Sequence, residues 1–131
     1  MSCRTELYKN LLKISISEDD IIRSIAEEVK KEIGSCSRDS LGKCIYASDR
    51  LYEELKKVGV ENVRLVEGYI LTNADPPEMQ HNWVEVDGKI LDITCDQFND
   101  IMPAGEEFKP IEYPADKNYY IEERDVTPES K

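Results

Sequence analysis

The chain has 131 residues, enough for one domain of ordinary size and too few for two independent ones. Its 28 acidic and 17 basic residues give a formal charge of −11. That balance argues against nucleic-acid phosphates or an anionic membrane as the main partner, since both select for excess Lys and Arg. With 40% hydrophobic and 34% charged residues, the composition is polar for a globular protein but not that of a wholly disordered chain.

No stretch approaches the roughly 20 apolar residues that a membrane span requires. Met1 to Glu6 lack the basic-then-apolar layout of a secretory signal, so the expected compartment is the cytoplasm. The cysteines at 3, 36, 44 and 95 have no CxxC spacing and are expected to be free thiols there. One histidine and no close Cys pair also make a structural zinc improbable, and no metal or other cofactor is expected.

Leu7, Leu11 and Ile14 predict a short amphipathic helix from Thr5 onward. A stronger helix opens at Ser17-Glu18-Asp19-Asp20, with Ser17 as its cap and three acids at the positive end of its dipole. Its apolar stripe is Ile21, Ile22, Ile25, Val29 and Ile33, and Gly34 supplies the stop. A polar loop over 35–43 leads to a helix from Leu41 or Cys44 to Val58, ended by Gly59. Asn62 to Leu71 reads as a strand, and Asp75-Pro76-Pro77 marks a loop.

From His81 to Thr94, two β-rich runs flank Asp87-Gly88, the dipeptide favoured in a two-residue hairpin turn. Asp96 to Asn118 carries three prolines and little periodicity, and is expected to be a long surface connection. Tyr119 to Val126 is the last expected strand, and 127–131 a frayed tail.

Side chains alternate between the two faces of a hairpin. With Asp87 and Gly88 at the turn, Val84, Val86, Leu91 and Ile93 share a core face. His81, Trp83, Glu85, Ile90, Asp92 and Thr94 share the other. His81 and Asp92 are then diagonal neighbours with Cβ atoms about 7 Å apart or slightly less, within reach of a hydrogen bond. An odd number of turn residues would flip this parity and separate them. A histidine beside a carboxylate suits a general base. The rival reading is a surface histidine and a strand-end aspartate with no joint role. Trp83 is either a wall of the site beside His81 or the main aromatic of the core.

A cysteine at a helix N-terminus has its thiolate stabilised by the dipole and by free N–H groups. Cys44 stands there after Leu41-Gly42-Lys43, and the same helix start offers N–H donors to an oxyanion. The rival reading is a small buried thiol on an apolar stripe.

Gly42-Lys43-Cys44 at a helix start, His81-Asn82-Trp83-Val84-Glu85-Val86 on a strand and Asp92-Ile93-Thr94 on the next follow one another in the chain. This order resembles the core of the transglutaminase-like superfamily, within the papain-like cysteine-enzyme fold, over about residues 40–98. The resemblance implies a helix packed on an antiparallel sheet and a Cys-His-Asp triad. By position, Cys44 is the nucleophile, His81 the base and Asp92 the orienting carboxylate. No Gln or Trp shortly before Cys44 matches the side-chain oxyanion donor of papain-like enzymes, and Arg38 and Ser40 are poor substitutes. The calcium loops of animal transglutaminases have no counterpart.

The expectation is a single α+β domain over 1–131, with helices packed on a small antiparallel sheet of strands 62–71, 81–86, 89–94 and 119–126. The expected activity is a cysteine-dependent hydrolase or acyltransferase acting on an amide, ester or thioester. Its substrate would be a peptide, a protein or a small acyl compound. Two alternatives stand beside it: a catalytically silent family member that binds a peptide or protein, and a redox protein pairing Cys36 with Cys44.

Overall fold

The computed structural model describes residues 17–34 and 41–128, with side chains from residue 45 onward in the second stretch. The helix expected after Thr5, the thiols Cys3 and Cys36, and the tail from residue 129 lie outside the described residues.

Helix α1 spans Glu18–Ile33. Ile21, Ile22, Ile25, Ala26, Val29 and Ile33 are all buried, as one 3.6-residue stripe requires. Gly34 ends it at φ 72°, with its N–H on the Lys30 carbonyl. The Ser17 hydroxyl makes no capping bond, contrary to expectation; only its carbonyl is used, by the Ile21 N–H. Residues 17–20 are exposed, so water satisfies this helix start, and the dipole is met by Glu18, Asp19 and Asp20.

Helix α2 spans Leu41–Lys57. Ala47, Ser48, Leu51 and Leu55 are buried, and Arg50 reaches Glu32 of α1 at 3.0 Å. The helix closes in a Schellman motif: Val60 N–H bonds the Leu55 carbonyl and Gly59 N–H the Lys56 carbonyl. Gly59 sits at φ 91°, a conformation that glycine alone adopts cheaply.

Strands β1 (Val63–Leu71), β2 (Glu78–Val86), β3 (Lys89–Leu91) and β4 (Tyr120–Asp125) form an antiparallel sheet in the order β3-β2-β1-β4. Helices on a small antiparallel sheet make this an α+β fold. Asp87 and Gly88 both have positive φ, 52° and 77°, as a type I′ turn demands. Asn62 braces the turn by hydrogen-bonding Asp87 through backbone and side chain. Val86 pairs with Lys89 and Val84 with Leu91, the expected register.

Two expectations need correcting. The third strand stops at Leu91 rather than Thr94, because Asp92 leaves β2 and exchanges both backbone hydrogen bonds with Glu112. The 96–118 segment is more than a surface connection. It opens with a 3-10 helix, Cys95–Ile101, and buries Phe98, Met102, Phe108, Tyr113 and Ala115. Its order comes from side-chain bonds rather than a periodic ladder: Asn99 donates to the Phe108 carbonyl and accepts from the Phe108 N–H.

The sheet is therefore covered on both faces. Leu65, Val84, Val86, Leu91 and Ile93 pack with α1 and α2. Val66, Trp83 and Ile90 pack with Ala115 and Tyr120, while Ile70 joins Cys95, Phe98, Met102 and Phe108. Trp83 is 1% exposed and belongs to this second layer. Among the described residues, no helix is long and apolar enough to cross a membrane.

Candidate active site

The two-residue turn preserves the parity on which the His81–Asp92 pairing depends. His81 Nε2 and Asp92 Oδ2 lie 2.7 Å apart, and both side chains are buried. His81 is no surface histidine. Its ring meets Phe98 edge-on at 5.1 Å and lies 6.1 Å from the Trp83 ring. On β1, the residue opposite His81 is Gly68.

Asp92 is surrounded by donors. Its Oδ2 also accepts from the Tyr120 hydroxyl at 2.8 Å, and its Oδ1 accepts from the Thr94 N–H at 3.0 Å. Burial by itself would raise the Asp92 pKa, but the neighbouring His81 and the hydrogen bonds from His81, Thr94 and Tyr120 hold it below its ordinary value. Asp92 therefore stays a carboxylate. Tyr120 is shifted upward by burial and by the Asp92 charge, so its hydroxyl keeps its proton and donates.

An ionised carboxylate can only accept, so the His81 Nε2 must carry a hydrogen. In the neutral ring this leaves the lone pair on Nδ1. That nitrogen is buried and has no hydrogen-bond partner among the described residues. It is the one polar atom of the dyad left free.

Helix α2 points toward this atom's strand. Lys57 ends the helix shortly before β1 begins at Val63, opposite Val86. Ser48 lies one stage further on, donating to the Asn82 carbonyl at 3.1 Å. The helix thus runs beside β2 from its Val86 end to its Asn82 end. Position 44 is one turn earlier, about 6 Å along the axis, at the His81 end. Because β3 stops opposite Val84, β2 has no strand partner on that side from Glu78 to Asn82 among the described residues. The Cys44 side chain lies outside the described residues; its backbone belongs to the first turn of α2.

Cys95 is a poor nucleophile. It is fully buried, and burial followed by the charge of Asp92 pushes its thiol well above the ordinary value. Among the described residues, no group of three or more His, Cys, Asp or Glu side chains is placed to hold a metal.

Tyr120 escaped the sequence reading because nothing local marks it: it follows Asp92 by 28 residues and opens a separate strand. Tyr120→Phe removes a bond to a buried charge and is expected to cost about 2 kcal/mol. Urea unfolding at neutral pH would register this as a lower midpoint with an unchanged slope.

Compared with known proteins, the chain matches no family model, no curated protein and no solved structure.

Proposed function

We propose that the protein is a thiol hydrolase or acyltransferase of transglutaminase-like character, with Cys44 as nucleophile, His81 as base and Asp92 as orienting carboxylate. The observation that carries this reading is the His81 ring: Nε2 is held by Asp92, and Nδ1 is left as a buried, unpartnered base. Most buried polar side-chain atoms have a partner, and His81 stands apart in that its bonded nitrogen meets a carboxylate.

In the proposed step, Nδ1 takes the Cys44 proton and the thiolate attacks the carbonyl carbon of an amide, ester or thioester. A C–S bond forms and the carbonyl π pair moves to oxygen. When that pair returns, the bond to the leaving group breaks and the imidazolium supplies its proton. Water then attacks the thioester through the same base, giving an acid and regenerating the thiol. An amine in place of water gives acyl transfer. Hydrolysis is the favoured outcome, since water needs no recognition site.

Iodoacetamide labelling at pH 6, read by peptide mass mapping, tests the pair. An ordinary thiol with a pKa of about 8.5 is almost wholly protonated there. Fast labelling confined to Cys44, slowed about 100-fold or more in His81→Ala, is the expected result. Slow, uniform labelling of all cysteines would leave the binding-module reading in its place.

A further inference from the structure

The triad lacks a recognisable side-chain donor for the developing oxyanion, and Arg38 and Ser40 do not supply one by sequence. The residue beside the base offers a different solution. Asn82 follows His81 on β2 and, by alternation, shares the face of Val84 and Val86, the face that α2 covers. Its side chain is 7% exposed. Its Oδ1 is buried without a partner among the described residues. The backbone at the same residue is tied to α2 through Ser48, one turn after position 44.

A buried amide oxygen with no partner is costly, and no described residue of the surrounding core uses it. Val, found at 84 and 86 on this same face, would fill such a position without that cost. The amide is thus placed for a group that arrives. Resting on the thiol-enzyme reading above, we infer that Asn82 is a catalytic residue: its Nδ2 donates to the substrate carbonyl oxygen as negative charge develops there. A half-turn about χ2 exchanges the two ends of the amide, so the unpaired position serves as donor or acceptor as the substrate requires. The backbone N–H groups opening α2 would supply the second donor.

Two reactions at one thiol separate this role from others. Alkylation by iodoacetamide develops no oxyanion, whereas acylation by p-nitrophenyl acetate does. Asn82→Ala is expected to lower the nitrophenolate burst about 100- to 1000-fold while Cys44 labelling at pH 6 stays within about twofold. Asn82→Leu keeps the size, adds no charge and removes the donor, and should behave alike; it carries the test if the alanine variant does not fold, as judged by its melting curve. Equal bursts in variants and parent would overturn the inference. So would a parallel fall in labelling and burst in a folded variant, which would make Asn82 a positioning residue. Absence of selective Cys44 labelling in the parent is a separate result, and it overturns the thiol-enzyme reading itself.

Discussion

Asp92→Asn is expected to lower acylation of Cys44 by about 1,000- to 10,000-fold, the scale set when a triad carboxylate is made neutral with its geometry kept. The reason lies in what faces each oxygen. Oδ1 meets the Thr94 N–H, and Oδ2 meets His81 Nε2 and the Tyr120 hydroxyl. An asparagine carries one acceptor and one donor end. If its oxygen keeps the Thr94 bond, its NH₂ faces His81, and the ring must move its hydrogen to Nδ1. The lone pair is then on the wrong nitrogen. If instead the oxygen faces His81, two N–H groups oppose each other at Thr94. Nitrogen-15 NMR of the imidazole distinguishes the two, and an unchanged tautomer with unchanged acylation would remove Asp92 from the mechanism.

The same carboxylate carries a pH signature. Its folded pKa lies below the ordinary 3.8, so the folded chain binds this proton less readily than the unfolded one. The stabilisation is therefore complete above the ordinary value and is lost as pH falls through the lower folded value. Urea midpoints should drop more steeply below about pH 4 in the parent than in Asp92→Asn, where this contribution is absent.

Much of this site is legible in the sequence, because it rests on local rules. Asp87-Gly88 fixes a two-residue turn, the turn fixes parity, and parity puts His81 and Asp92 on one face. The α1 stripe and the glycine stops at 34 and 59 follow equally short-range patterns. What escaped depends on long-range contacts. Phe98, Met102 and Phe108 have no periodicity because they cover a sheet face from an irregular segment held by Asn99. Alternation gave Trp83 and His81 a shared face, but not a second layer above it. Tyr120 reaches Asp92 only because β4 pairs with β1. The early end of β3 follows from the Asp92–Glu112 bridge, which no local pattern in 89–94 announces.

Gly68→Ala is expected to be the most damaging single-methyl change, because the dyad's second layer closes over this residue. Gly68 lies opposite His81 on β1 and beside the register shift with β4. A Cβ there would overlap the Ile121 carbonyl oxygen and stand 2.9 Å from Trp83 Cη2 and 3.0 Å from the Glu123 nitrogen. Two of these neighbours are backbone and cannot turn aside. The third is a ring already packed edge-on against Tyr120 at 5.0 Å. Either β4 retreats, taking Tyr120 from Asp92, or Trp83 moves into the layer that holds the His81 ring. We expect a loss of about 3 kcal/mol, the upper end for overpacking, and a fall in Tm of about 10 °C. Cys44 labelling should slow in the fraction that remains folded, since both escapes disturb the groups that orient His81. A melting point within about 2 °C of the parent would mean that β4 yields freely at this position, and that its contact with β1 does not hold the second layer in place.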